Sequence, residues 1–250
     1  MKRTFGELYR ASDAAEHREH KRSAEEFKRI PGDVQCSKLV HYRAPKDVDK
    51  RHPLRHGYLN INVCSGGTLP FKQLSPMLLG PVRFKEYNKD GVICDYEATN
   101  VENFWQFLKV WDADLDAAGN IKDAWFALRD AGWADPKPHR RPRGKVNTTE
   151  GANRNAPLFS YWGKQRLSYG EARKRIYIPY YVEQVQRCSA YTLLHKMVHE
   201  DGFNVQIIGY DGRDFADVAG GLRACLDDLG ASFGHELVLC GLLRGERVWE

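Results

Sequence analysis

The segment Glu102-Asn-Phe-Trp-Gln-Phe-Leu-Lys109 constrains the fold of this chain more than any other stretch. A carboxylate, a Trp, a Gln and a Lys fall at offsets i, i+3, i+4 and i+7, which share one face of a helix. Such a face could hold a sugar next to a planar base. It could also be the polar edge of an amphipathic helix whose aromatic residues pack in a core. The segment therefore predicts a helix that is either a ligand-binding wall or a core element.

The composition is that of a globular protein, with 42% hydrophobic and 28% charged residues in 250. The sequence has no run of about 18 uncharged apolar residues that could span a bilayer, and its start lacks the apolar stretch of a secretory signal. We therefore expect a cytoplasmic protein without a membrane partner. The six cysteines form no CxxC pair, which favours neither a disulfide framework nor a zinc site. The net charge of +5 modestly favours polyanionic partners.

We expect two regions along the chain. Residues 1–35 are rich in Arg, Lys, Glu and Ala and predict a charged N-terminal helical tail. Residues 36–250 predict one α+β domain that is predominantly helical and contains a small β-hairpin or sheet element. The sequence does not fix the oligomeric state.

Short β-prone segments precede the Glu102 helix. Two of them are Leu39–Tyr42 and Tyr58–Val63, and the second alternates apolar and polar residues as a half-buried strand does. Val82–Phe84 and Val92–Tyr96 flank a turn and predict a hairpin that leads into the helix. Thr99 or Asn100 could cap that helix, and a carboxylate in its first turn would face the positive end of the helix dipole.

Helical patterns dominate the second half of the chain. We predict a helix near 121–131 that ends at Gly132-Trp133, and a helix from Ser168, whose pattern with Glu171 is a capping box. The latter meets a boundary or kink at Pro179 and resumes through Val198. A strand over 205–211 and a last helix over roughly 234–243 complete the domain.

The stretch from Asp135 to Pro157 predicts a long basic loop. Its cations include Arg141, Arg143 and Lys145, and no acid follows until Glu150. Loops of this length in a compact domain are usually functional or mobile. The loop is either a solvated basic segment or a phosphate clamp, since guanidinium groups suit phosphate oxygens.

The usual signatures of P-loop, GxSxG, HExxH and Rossmann proteins are absent from the sequence. His195 and His199 stand at i and i+4, but no third ligand has matching spacing, so we predict no metal. The remaining candidate groups are acidic and aromatic: Glu102, Trp105, Tyr161, Trp162, Tyr210 and Asp211. Such a set suits cleavage of an N-glycosidic bond, because a fixed carboxylate can stabilise an oxocarbenium-like transition state while an aromatic ring stacks on the base.

Several short motifs, taken in order, resemble the NADAR family of N-glycosidases over roughly residues 70–245. They are Ser75-Pro-Met-Leu-Leu-Gly-Pro-Val82, Glu102-Asn-Phe-Trp-Gln106 with Lys109, Arg143-Gly144, Trp162 and Tyr210-Asp-Gly212. The chain departs from the family at Ser75-Pro76-Met77, where Ser-Asn-Phe is usual, and at Arg143-Gly144-Lys145, where a Gly-Arg pair is usual. The resemblance implies a helix-rich fold. It also implies hydrolysis of N-glycosidic bonds in riboflavin-pathway intermediates or in ADP-ribosylated guanine bases.

The resemblance gives Glu102 the essential catalytic role and, less securely, makes Asp211 part of the site. Together with the residue patterns it predicts an ADP-ribosyl, nucleotide or modified-base substrate and no cofactor. The predicted substrate-binding residues are Trp105, Gln106, Lys109, Arg141, Arg143, Lys145, Tyr161, Trp162 and Tyr210. Two alternatives stay open: a non-catalytic protein that binds DNA or RNA through its basic loops, and an ADP-ribose or nucleotide sensor.

Overall fold

The computed structural model describes residues 32–38, 57–139, 157–209 and 214–250. The strands within these ranges are β1 (Val34–Lys38), β2 (Leu59–Asn62), β3 (Val82–Tyr87), β4 (Ile93–Ala98), β5 (Lys109–Val110), β6 (Phe159–Trp162), β7 (Gln165–Leu167) and β8 (Val205–Gly209). The α-helices are α1 (Val101–Gln106), α2 (Asp123–Ala134), α3 (Tyr169–Ala172), α4 (Ile178–Gln186), α5 (Ser189–His199), α6 (Gly221–Asp227) and α7 (His235–Arg244). The α+β prediction is confirmed.

The predicted N-terminal features fall largely outside the described residues. Residues 1–31, which make up most of the predicted helical tail, and the predicted strand Leu39–Tyr42 are among them. Residues 34 and 35, which we placed in the tail, belong instead to β1, where Val34 pairs with Val205. None of the helices in the described ranges is long and apolar enough to cross a lipid bilayer.

The chain forms two compact units, of which the first comprises residues 1–75 and 188–250. Its described part contains a parallel sheet in the order β1-β8-β2. The central strand β8 is almost wholly buried, which suits its mostly apolar sequence, in which Gln206 is the one polar residue. Helix α7 packs against β1 and β8 and buries every residue from His235 to Leu243. The helix ends at Arg244, and the φ of +70° at Gly245 forms a left-handed C-cap.

The second unit comprises residues 76–187 and begins with the predicted hairpin. Strands β3 and β4 pair antiparallel, with Val82 opposite Ala98 and Phe84 opposite Tyr96. The residues of β3 alternate between buried and exposed, because one face of the hairpin packs in the core. The hairpin leads directly into α1, as the turn and strand signals predicted.

Helix α1 is shorter than the sequence suggested. It begins after Asn100, whose side-chain oxygen accepts a hydrogen bond from the Asn103 N–H at 2.8 Å, and it ends at Gln106. Lys109 is therefore not on the helix, and the expectation that the side chains of Glu102, Trp105, Gln106 and Lys109 share one helical face is wrong at Lys109. Lys109 lies in β5, opposite Ser160 of β6, and this strand pairing ends the helix.

The remaining elements of the second unit match the predictions in part. Helix α2 runs past the predicted stop and ends at Ala134. The Ser168 capping box is confirmed, since its hydroxyl accepts from the Glu171 N–H while the Glu171 carboxylate accepts from the Ser168 N–H. Helix α3 then continues through a π-helical turn, Arg173–Tyr177, into α4. The predicted helix through Val198 is interrupted at Arg187 and Cys188, because α4 ends at Gln186 and α5 begins at Ser189.

Candidate functional site

Glu102 occupies the first turn of α1 in the second unit. The cap of Asn100 fixes the start of this turn, and the Glu102 N–H donates to the carbonyl of Pro76 at 2.9 Å. The Glu102 side chain is half-buried. Its backbone is thus held by the preceding loop as well as by the helix, which leaves the carboxylate on a firmly anchored turn.

A row of hydrogen bonds connects Glu102 to Lys109. The Gln106 Nε2 group donates to Glu102 Oε1 at 2.9 Å, and Lys109 Nζ donates to Gln106 Oε1 at 2.9 Å. An ammonium group can only donate, so Lys109 fixes the Gln106 amide with its NH₂ toward Glu102. Among the described residues, Glu102 Oε2 has no hydrogen-bond partner. One carboxylate oxygen is therefore held in place, and the other accepts no hydrogen bond from the described residues.

Trp105 forms the apolar side of this row. Its ring centroid lies 5.3 Å from that of Tyr177 and 6.3 Å from that of Tyr169, and Lys109 Nζ lies 5.0 Å from the Trp105 ring. The residue is only 8% exposed, so its ring faces are largely taken up by protein. Trp105 contributes to core packing and also supports Lys109 through a cation–π contact.

Trp162 lies in a second aromatic cluster. Its ring centroid is 5.6 Å from Phe84, 5.6 Å from Phe104 and 5.8 Å from Tyr180. Phe104 follows Glu102 by two positions, which is about 200° around a helix axis. Trp162 therefore contacts the side of α1 that faces away from Glu102, and its role in the same pocket stays a prediction.

Tyr161 points to the other face of β6, as alternation along a strand requires. Its ring packs edge-on against Trp125 at 5.7 Å and Phe126 at 6.1 Å. Burial, followed by the nearby charge of Glu86, raises the pKa of the Tyr161 hydroxyl. Tyr161 thus contacts α2 rather than the Trp162 cluster, and its contact with a substrate stays a prediction.

Glu86 is a buried carboxylate that the sequence analysis did not single out. Its oxygens accept from the Gly163 N–H at 2.9 and 3.1 Å and from the Tyr87 N–H at 2.7 Å. Gly163 and Lys164 adopt positive φ values of 57° and 61° in the tight turn that follows Trp162. Glu86 therefore fixes this turn, and with it the end of β6, by satisfying backbone donors.

Asn103 is a further residue that sequence reasoning missed. It is fully buried, its Nδ2 donates to the carbonyls of Asp135 and Lys137 at 2.9 and 3.1 Å, and its Oδ1 accepts from the His139 N–H at 3.0 Å. Asn is unfavourable inside a helix unless its amide has such partners, and this was the available signal. The helix that carries Glu102 thereby anchors the segment from which the chain enters the basic loop.

Several predicted site residues lie outside the described residues: Arg141, Arg143, Lys145, Tyr210 and Asp211. His195 and His199, for which we predicted no metal, stand with ring centroids 4.3 Å apart on α5 in the first unit. No group of three or more His, Cys, Asp or Glu side chains in the described ranges is placed to hold a metal ion. The described part of the site therefore consists of Glu102, Gln106, Lys109 and the aromatic residues beside them.

Comparison of the chain with protein-family models, with curated proteins and with solved structures found no match.

Proposed function

We propose that this protein is a hydrolase of the NADAR type that cleaves an N-glycosidic bond, with Glu102 as the catalytic carboxylate. The observation that carries the proposal is the row Glu102–Gln106–Lys109, in which one carboxylate oxygen is fixed by an amide and the other has no partner among the described residues. The unpaired oxygen of this half-buried carboxylate is available to water or to a substrate. The order of motifs that resembles the NADAR family assigns catalysis to the same residue.

The chemistry requires a negative charge beside the sugar carbon. As the C1′–N bond breaks, its electron pair leaves with the base and positive charge develops on the sugar ring, where a fixed carboxylate stabilises it. Water then adds to C1′, Glu102 Oε2 takes up the proton that the water releases, and this proton passes to the departing base, which regenerates the carboxylate. The products are the free base and a sugar with a hydroxyl group at C1′, so atoms and charge balance.

Gln106 and Lys109 are positioning residues in this proposal. The hydrogen bond from Gln106 holds Glu102 Oε1 in one orientation, and Lys109 prevents the amide from rotating. Fixed geometry of this kind lowers the reorganisation that a carboxylate would otherwise need as charge develops. Lys109 also brings a positive charge to the same wall, which suits a substrate that carries phosphate.

The basic loop supplies the proposed phosphate contacts. Arg141 and Arg143 follow His139 by two and four residues, and the His139 N–H is held by Asn103 on the Glu102 helix. A fully extended chain spans at most roughly 3.6 Å per residue, so the attachment point limits how far these cations can be from α1. We assign Arg141, Arg143 and Lys145 to phosphate and retain Tyr210 and Asp211 as the ribose-facing residues of the proposal.

The experiment compares Glu102→Gln with the matched control Glu97→Gln, since Glu97 is an exposed residue of the same unit that pairs with Arg83. Wild-type protein is incubated with NAD⁺, nucleoside monophosphates, riboflavin-pathway nucleotides and ADP-ribosylated guanosine or DNA, and released base is measured by chromatography. We expect Glu102→Gln to lose base release by at least about 100-fold, while Glu97→Gln keeps it. Tight ligand binding by wild-type protein without base release would identify a sensor and overturn the proposal.

A further inference from the structure

We propose that Tyr169 is the platform on which the planar base of the substrate stacks, with the guanidinium of Arg173 covering the opposite face of its ring. This inference rests on the proposed function, because it names the ligand group held beside Glu102. It assigns base recognition to a residue outside the motifs that suggested the activity.

Tyr169 stands in a fixed position on the Glu102 side of the second unit. Its ring lies 6.3 Å from Trp105, which is on the same face of α1 as Glu102. The backbone of Tyr169 forms the first residue of α3, directly after the Ser168 cap. The Glu171 carboxylate accepts hydrogen bonds from the Ser168 hydroxyl and backbone N–H, which lower the pKa of Glu171 and close the capping box. The ring therefore projects from a rigid turn.

One face of the Tyr169 ring is covered by a buried cation, the guanidinium of Arg173. The guanidinium carbon of Arg173 lies 4.5 Å from the ring centroid, and Arg173 is only 1% exposed. Arg173 begins the π-helical turn Arg173–Tyr177, and such turns often occur at functional sites. A buried cation on one face of an aromatic ring polarises the π electrons of the ring toward that face. The other face then favours stacking of an electron-rich heteroaromatic ring.

Tyr169 is the most exposed of the three neighbouring aromatic residues Trp105, Tyr169 and Tyr177. Tyr169 is 38% exposed, whereas its neighbours Trp105 and Tyr177 are each 8% exposed. Among these three rings, Tyr169 alone has enough accessible surface to receive a base without rearrangement. If a base stacks on Tyr169, its sugar would extend toward Trp105 and Glu102 Oε2. The ligand class is therefore a nucleoside or nucleotide with a flat heteroaromatic base.

The test measures equilibrium binding by calorimetry in full-length protein that carries Glu102→Gln, so that turnover does not consume the ligand. The probes are AMP, GMP and FMN, which carry a base or flavin ring, and ribose 5-phosphate, which does not. Tyr169→Ala is compared with Tyr169→Phe and with the control Tyr87→Ala. Tyr87 also has a cation over its ring, Lys164 at 4.2 Å, but it lies in the hairpin strand β3.

We expect Tyr169→Ala to weaken binding of the preferred base-bearing probe by about 5- to 150-fold, the usual worth of one stacked base, and to leave ribose 5-phosphate unchanged. Tyr169→Phe keeps an aromatic ring at the proposed platform, and Tyr87→Ala leaves the platform unchanged. Both variants should therefore bind the base-bearing probe with the affinity of the parent protein. Equal weakening of all four probes, or no weakening by Tyr169→Ala, overturns the platform. So does a protein that binds no base-bearing probe more tightly than ribose 5-phosphate. Because this test reads binding alone, the platform and the glycosidase activity can fail separately.

Discussion

Replacement of Asn103 by Ala tests whether the helix that carries Glu102 anchors the first residues of the basic loop, from Asp135 to His139. The change removes a buried side chain that makes three hydrogen bonds, to Asp135, Lys137 and His139. At a net value of about 1 kcal/mol for each bond, and with partners left partly buried, the cost is about 2–4 kcal/mol. That is a large part of the roughly 5–15 kcal/mol by which a domain is usually stable.

The assay is urea unfolding followed by tryptophan fluorescence. Five of the six tryptophans lie in the second unit, so the signal reports mainly on the unit that contains Asn103. Asn120→Ala is the matched control, because it removes the same side chain from an exposed turn and should cost less than about 0.5 kcal/mol. Asn103→Asp keeps the acceptor but turns a carboxylate oxygen toward two carbonyls, so it should destabilise as strongly as Ala. If Asn103→Ala costs no more than Asn120→Ala, the anchoring role is refuted.

Two further predictions concern other parts of the second unit. Arg129 is buried among four aromatic rings and donates to the Tyr87 carbonyl at 3.0 Å. Arg129→Ala should therefore lower the free energy of unfolding, measured by calorimetry, by about 3 kcal/mol or more. Arg83→Ala, at an exposed ion pair, should lower it by less than about 1 kcal/mol. Because the pKa of Glu171 is lowered by the Ser168 hydrogen bonds, its stabilising contribution is present above its ordinary value of 4.5 and is lost as the pH falls through the lower folded value. Ser168→Ala should raise the pKa of Glu171 toward 4.5 in an NMR titration, and an unchanged titration would contradict this.

Local signals in the sequence predicted the elements around the site well. The turn between β3 and β4, the Asn100 cap and the Ser168–Glu171 box each depend on residues close together in the chain, and each is present. These features could be anticipated because a cap or a tight turn needs particular side chains at fixed offsets. They also place Glu102 correctly in the first turn of its helix.

Features that depend on distant residues were not predicted. The end of α1 at Gln106 follows from pairing of Lys109 with Ser160, some fifty residues away, which overrides the helical spacing of the segment. The parallel order β1-β8-β2 joins strands from both ends of the first unit, and β1 ends directly before the predicted strand Leu39–Tyr42. Tertiary packing likewise determines which aromatic rings are buried: Trp105 is buried, whereas Tyr169 is exposed.

The measurement that tests the central claim most directly is the rate of base release by Glu102→Gln on a substrate that the wild-type protein cleaves. The substitution keeps the size of the side chain and removes its charge, so binding should be largely retained while kcat falls by at least about 100-fold. Glu97→Gln, prepared in parallel, should release base at the wild-type rate. A Glu102→Gln protein with undiminished kcat would contradict the account.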